Sequence, residues 1–292
     1  MGHHHHHDHQ QSSKNIKVAF FLNLGFTIIE FIGGIYTNSL AITSDALHDL
    51  GDSLSLGLSW YFHKLSTKKP NKIFSYGYKR FSLLGAIINA MVLIIGAVYI
   101  VYTAIPRIIH PEDTDAKGMM YFAILGIVIN GAAVFSLKKG TSMNEKVVAL
   151  HLIEDVLGWV AVLIASLVMQ FYDLPILDPI LSLVITGYVL YNLYHNMRES
   201  FRIILQGTPE NISIEKIKKR ILGFEEVKSI HNLHLWSMDG TYNVFSVHIV
   251  LVDKNSTLQQ TTILKQQINK ILQNDFDLNH ITIELEVSHK KI

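Results

Sequence analysis

The feature that most limits what this chain can fold into is a succession of apolar runs, each long enough to cross a bilayer. A helix needs about 20 mostly apolar residues to span the hydrocarbon core. Candidate runs fall near residues 16–36, 40–62, 81–105, 118–137, 145–171 and 178–197. In hydrocarbon every backbone N–H and C=O must be satisfied within the protein, so runs of this length are expected as helices. The bulk composition agrees. Of the 292 residues, 49% are hydrophobic and only 17% charged, and the mean hydropathy is +0.27. An ordinary soluble domain is less apolar than this. The expected fold class is a polytopic α-helical membrane protein with six transmembrane helices, embedded in a lipid bilayer.

Local signals mark the ends of the runs. Ser142 and Glu145 have capping-box spacing, and Asp178-Pro179 reads as an N-cap followed by proline in the first turn. Lysine and arginine set the orientation. Lys64, Lys68, Lys69, Lys72, Lys79 and Arg80 follow the second run, and Lys138, Lys139 and Lys146 follow the fourth. The opposite side offers only Arg107 and Lys117, among Glu112, Asp113 and Asp115. Both termini are therefore expected in the cytoplasm. No cleavable signal peptide is expected, because no small-residue cleavage site follows the first apolar run. The opening residues MGHHHHHDHQQ are either a purification tag or a native metal-attracting tail.

From Thr208 the pattern changes. ISIEKIKKRILGF has helical periodicity, VKSIHNLHLWSM and TYNVFSVHIVLV alternate as strands, and the link MDGTY supplies an Asp-Gly turn. QTTILKQQINKILQNDF reads as a second helix and HITIELEVS as a last strand. The order αββαβ predicts a small α+β domain with helices on one face of a three-stranded sheet. The expected division is thus a His-rich tail over 1–13, a transmembrane domain over 14–206 and a cytosolic domain over 207–292. A net charge of +1 argues against a nucleic-acid partner.

Two short stretches stand out because they put ionisable groups where burying them costs most. ALHDLGDS (Ala46 to Ser53) and ALHLIEDV (Ala149 to Val156) share the pattern Leu-His-x-x-x-Asp, one in the second run and one in the fifth. A charged residue at the centre of a span costs about 2.5–3.5 kcal/mol on insertion scales, so such residues face the bundle interior and mark function. His48 and Asp52 are four apart and share one helix face, as do His151 and Asp155. If the faces meet, two imidazoles and two carboxylates converge. With no cysteine in the chain, metal chemistry falls to His, Asp and Glu. The set suits a tetrahedral divalent metal, zinc first, with cobalt, iron and nickel also compatible. Two carboxylates neutralise a dication in low dielectric, whereas the empty site takes up protons. Metal and protons then compete for the same groups, which is the basis of a metal/proton exchanger. Asp45 and Asp49 fall on shifted faces and read as entrance or packing residues, and Glu154 belongs with them. Glu30 is a candidate proton-relay group, while Asn23, Asn89, Asn130 and Asn192 read as interhelical hydrogen-bond partners.

Several stretches together resemble the cation diffusion facilitator family, over about Asn15 to Ser288. They are SLAITSDALHDLGDS, FSYGYKRFSLLGAIINA, VALHLIEDVLG, DPILSL and HNLHLWSMDG with FSVHIV. The resemblance implies a homodimer with a cytosolic metallochaperone-like domain, which exports Zn2+ in exchange for protons from a prokaryotic inner membrane. It assigns the transport site to His48, Asp52, His151 and Asp155, and His48 tilts selectivity toward zinc. It also implies secondary zinc sites in the cytosolic domain at His231, His248 and Glu286, with His280 near a further ligand position. Within the first strand His231 and His234 are three apart, so they are expected on opposite faces and cannot both join one site there. The loop after the second run offers only His63 and lysines, and no metal site is expected there. An enzyme is not expected. The alternatives are an intramembrane metal-dependent hydrolase, for which the His-Glu-x-x-His motif is missing, and a metal sensor that signals without transport.

Overall fold

Six helices appear where the apolar runs predict them. The computed structural model describes residues 21, 24–137, 143–253 and 255–287, and of the stretch 136–148 the backbone alone. The His-rich tail, Asn23 and Ser142 lie outside the described residues. The helices are α1 (Leu24–Thr37), then α2 (Leu40–Ser66), α3 (Phe81–Ile109), α4 (Ala116–Leu137), α5 (Met143–Tyr172) and α6 (Leu177–Ile204). Four of them, α3 to α6, carry windows apolar and long enough to cross a membrane, and only 28–33% of each window is buried. The rest of their surface is apolar and needs a non-aqueous environment. At 27 residues α2 is as long as these, but its acids lower its hydropathy. This is an integral membrane protein.

The break between α1 and α2 is built from polar contacts. Asn38 takes a left-handed backbone, φ 53°, which Asn tolerates because its short polar side chain bonds locally. Arg107, near the end of α3, grips it by donating to the Asn38 carbonyl at 2.9 Å and to its Oδ1 at 2.7 Å. Asn38 Nδ2 in turn donates to the Asp113 carbonyl at 3.0 Å.

One boundary signal acts differently from its sequence reading. Asp178 does not cap its own helix but sits inside the first turn of α6 and caps α2. Its carboxylate accepts from Ser39 Oγ at 2.6 Å, from the Leu40 N–H at 2.7 Å and from the Ala41 N–H at 3.1 Å. Ser39 Oγ also accepts from the Ile42 N–H at 3.2 Å. The free N–H groups at the start of a helix are the donors a buried carboxylate requires. Asp178 is fully buried, so this tie forms in low dielectric.

The helices pack closely where glycine allows it. A Cβ placed on Gly126 of α4 would lie 2.3 Å from the indole of Trp159 on α5. Trp159 is fully buried in a cluster with Phe26, Ala41, Ile42, Met119, Ala123 and Val162.

The described chain divides into two units. One holds the residues through Tyr61 and Gly85–His195; the other holds Phe62–Leu84 and the chain from Asn196 onward. The second unit therefore includes the segment joining α2 to α3, where the sequence suggested a boundary near residue 206. Its C-terminal part has the expected αββαβ order: α7 (Ile214–Ile221), β1 (Val227–Ser237), β2 (Asn243–Leu251), α8 (Leu258–Phe276) and β3 (His280–Glu286). Ser213 caps α7, and Thr257 with Gln260 forms a full capping box on α8. Gly240, φ 94°, supplies the positive φ of the β1–β2 turn. The sheet order is β1-β2-β3, with β1 antiparallel and β3 parallel to β2. A parallel neighbour needs a crossover, and α8 provides it. Phe245, Val247, Ile249 and Leu251 alternate along β2 and meet Ile217, Ile221, Leu264, Ile268 and Leu272 from the two helices in one core.

Asp178→Ala should lower stability by about 1–3 kcal/mol, since it strands buried donors at the start of α2. Asp178→Asn, which keeps an acceptor oxygen, should lose less. Thermal unfolding of the detergent-solubilised chain measures both, and equal losses would contradict the capping role.

Candidate metal centre

The α2 and α5 faces do meet. Asp52 Oδ2 lies 2.7 Å from His151 Nε2 and 3.6 Å from His48 Nε2. The two imidazole rings stand 5.8 Å apart, centre to centre, at 72°. One ligand atom from each of His48, Asp52 and His151 lies within 4.8 Å of the others, and bonds of about 2.0–2.2 Å would draw them somewhat closer around one ion. His48 Nδ1 is buried without a hydrogen-bond partner, so this ring keeps an uncommitted nitrogen. The side chains are 20%, 27% and 39% exposed for His48, Asp52 and His151, open enough for an ion to reach them.

Asp155 is not part of that three-residue set. It is buried one turn along α5 from His151, near enough for its charge to act on His151, His48 and Asp52. Its neighbours there are other acids. Asp45 faces α5, with its Oδ1 3.7 Å from where a Cβ on Gly158 would sit. Asp45, Asp49 and Glu30 are each at most 6% exposed. Asp45 and Asp49, next to the His-x-x-x-Asp pair, are thus buried, which fits the packing alternative of the sequence reading.

A second cluster lies on the sheet face turned away from α7 and α8. His248 Nδ1 is 2.7 Å from Glu286 Oε1, and His231 Nε2 is 3.3 Å from Glu286 Oε2. The two rings are 5.2 Å apart, and one ligand atom from each of His231, His248 and Glu286 lies within 4.8 Å of the others. Glu284, which sequence reasoning missed, adds a carboxylate 3.4 Å from His248 Nε2. The signal was present in HITIELE, where strand alternation puts Glu284 and Glu286 on one face. His280 is not brought in. It lies on the same face six residues earlier on β3, about 20 Å away at 3.3 Å per residue, and its ring packs edge-on against Tyr76.

The strand holding His231 also corrects an expectation. His231 pairs with His248 and His234 with Ser246, so three steps on β1 match two on β2. The extra residue is a β-bulge, with Asn232 at φ 47°. Opposed residues share a face, and His248 and Ser246 are two apart, so the bulge turns His231 and His234 to the same side rather than opposite sides. His234 still falls outside the ligand set.

Imidazole and carboxylate donors converging between membrane helices, and again on a soluble domain, define a protein that handles divalent metal ions in transit across a bilayer. The chain belongs to the cation efflux family. The model of the cation efflux transmembrane domain matches residues 16–205, and that of the cation efflux protein cytoplasmic domain matches residues 209–288. It is 35% identical to the "Cadmium, cobalt and zinc/H(+)-K(+) antiporter" of Bacillus velezensis, over 99% of this chain and 93% of that one. It is 31% identical to the "Zinc transporter ZitB" of Pectobacterium atrosepticum, over 98% of this chain and 89% of the relative. A solved structure of the "Metal-bound C-terminal domain of the CzcD transporter" from Cupriavidus metallidurans is 26% identical. It covers 26% of this chain and all of its own, with a TM-score of 0.23. The family consists of transporters, not enzymes.

Asn232 should accept glycine with little loss, whereas Asn232→Val forces a β-branched residue into the left-handed region at a cost of about 1–2 kcal/mol. Thermal unfolding of the two variants tests the bulge.

Proposed function

We propose that this chain exports Zn2+ in exchange for protons, using His48, Asp52, His151 and Asp155 as the transport site. The observation that carries the reading is the convergence of His48, Asp52 and His151 from two membrane helices onto one ion-sized point. Asp155 completes the set after a small closure of α5 onto α2. With both carboxylates ionised, bound zinc leaves the site neutral, the one loaded state that low dielectric tolerates well. Protons arriving from the far side convert imidazole to imidazolium and carboxylate to acid, and the ion loses its ligands. Names of relatives that include zinc and H+ support the exchange. Two histidines and two carboxylates suit zinc over hard cations such as Mg2+ or Ca2+. Export of a dication from an interior-negative cell costs about 2.3 kcal/mol per charge per 100 mV, and inward protons offset that cost.

The chain works as a homodimer in a prokaryotic inner membrane, with six spans per protomer and both termini in the cytoplasm. The lysine and arginine bias of the loops supports that orientation. On the cytosolic domain His231, His248 and Glu286 hold regulatory zinc, with Glu284 beside them. The two imidazoles and the Glu286 carboxylate would hold the ion, and Glu284 would add negative charge beside it.

Purified protein in liposomes, loaded with a zinc indicator, tests the transport site. Asp52→Ala and His151→Ala should each raise the zinc Kd by more than about 10-fold, the low end of what even an outer-shell loss costs. Both should abolish flux, and parent-rate flux from either would refute the assignment. Substituting His231 and His248 together should remove one zinc equivalent per protomer from the stoichiometry while transport-site binding persists. An unchanged stoichiometry would refute the cytosolic site.

A further inference from the structure

One stretch of sequence that neither metal cluster absorbs is FSYGYKR, Phe74 to Arg80, between α2 and α3. Residues Phe62–Leu84 belong to the same compact unit as the cytosolic domain, and two contacts hold them to it. Lys79 Nζ stands 4.1 Å from the centre of the Tyr242 ring, well inside the range of a cation–π attraction. The Tyr76 ring meets the His280 ring edge-on at 5.4 Å. Among the described residues no carboxylate pairs with Lys79, so the face of Tyr242 is what its charge rests on. The segment is ordered so as to present these side chains. Asn71 Oδ1 accepts from the Ile73 and Phe74 N–H groups at 2.9 and 2.8 Å, and Asn71 Nδ2 donates to the Tyr78 hydroxyl at 2.8 Å. Phe74, Tyr78 and Phe81 pack ring to ring at 4.8–5.4 Å.

The surface that receives them is one end of the sheet that carries the cytosolic ligands. Tyr242 directly precedes β2, and His280 opens β3. The strands are tied together at this end. The Asn243 N–H donates to Asn279 Oδ1 at 2.7 Å, and the Asn279 N–H donates to the Asn243 carbonyl at 3.0 Å. Farther along the same two strands lie His248, Glu284 and Glu286. Hydrogen-bonded strands move as one body, so an ion that draws His248 and Glu286 together also shifts Tyr242 and His280. On its other side the segment runs without a break into α2, which bears His48 and Asp52.

We propose that Lys79 and Tyr76 are positioning residues for transport: through their grip on Tyr242 and His280, zinc at the cytosolic cluster acts on α2 and changes the rate of flux. The inference rests on the transport and cytosolic-metal readings above and adds the connection between them. It also gives His280 a role, as the seat for Tyr76 and not as a metal ligand. No metal is needed in the segment itself, since a cation and two aromatic contacts make the attachment.

Zinc flux by the full-length protein in liposomes, measured over a cycle of variants, provides the test. Removing the cytosolic cluster with His231→Ala and His248→Ala should change the flux by about 5-fold or more, the low end of coupling between sites. In Lys79→Met, which keeps the stem but loses the charge, the same removal should change nothing. Lys79→Arg, which restores a cation over the ring, should bring the response back. Zinc affinity at the transport ligands should match the parent in all of these. A full response to cluster removal in Lys79→Met would overturn the proposal and leave the cytosolic site standing. A parent that moves zinc but does not respond to cluster removal would overturn the regulatory role and this inference together, and a parent without flux would overturn the transport reading itself. If Lys79→Met fails to fold, Tyr76→Cys with His280→Cys decides, in a chain that has no other thiol. A cross-link between them by a short bismaleimide in the membrane supports the grip, and its absence refutes it.

Discussion

Everything in the bundle depends on how costly it is to keep a carboxylate in hydrocarbon. Where water is excluded within a span, an acid must find donors, a cation or a proton within the protein. Three acids within the spans have three different answers. Asp178 takes the donors at the start of α2. Asp52 takes two imidazoles and is positioned to take a metal. Glu30 is fully buried, and neither of its oxygens accepts a hydrogen bond. The same requirement turns α2 and α5 toward each other, because His151 and Asp52 are far better placed against one another than against lipid.

The two clusters use the same donors in different settings. Between α2 and α5 they sit on separate helices, so the distance between ligands changes whenever one helix moves against the other. On the sheet, His248 and Glu286 belong to neighbouring hydrogen-bonded strands, and their separation is fixed by the ladder. The first arrangement suits an ion that must be released; the second suits an ion that stays. This contrast follows from the backbone that carries the ligands, since the ligand chemistry is nearly identical.

Much of this was legible in the chain itself. Helix positions followed from apolar length, because the bilayer leaves a run of this kind few alternatives. The His-x-x-x-Asp pairs followed from helical spacing, and αββαβ from the switch between a period near 3.6 and a period of 2. What was not legible involved partners distant in sequence. Asp178-Pro179 looked like a local cap, yet its acceptors serve a helix that begins 138 residues earlier. The faces of His231 and His234 were misjudged because a bulge at Asn232 leaves no periodic trace. Asp45 and Asp49 were placed by their angle on one helix, whereas their surroundings are set by α1 and α5. Asp155 shares its helix face with His151, as the spacing implies, but how close it comes to Asp52 is set by the tilt between helices.

The grip of Asp178 on Ser39 and the first amides of α2 also shapes how the bundle can move. It pins one end of α2 to α6, so α2 cannot slide along that neighbour without breaking three buried bonds. What is left to it is to swing about this end, where the Ser44 and Thr186 hydroxyls add a further tie at 2.9 Å one turn along. His48 lies about 12 Å along α2 from Leu40 and Asp52 about 18 Å, at 1.5 Å per residue. A tilt of α2 therefore displaces the carboxylate half again as far as the imidazole. The two donors part unequally, and an ion between them is let go on one side first.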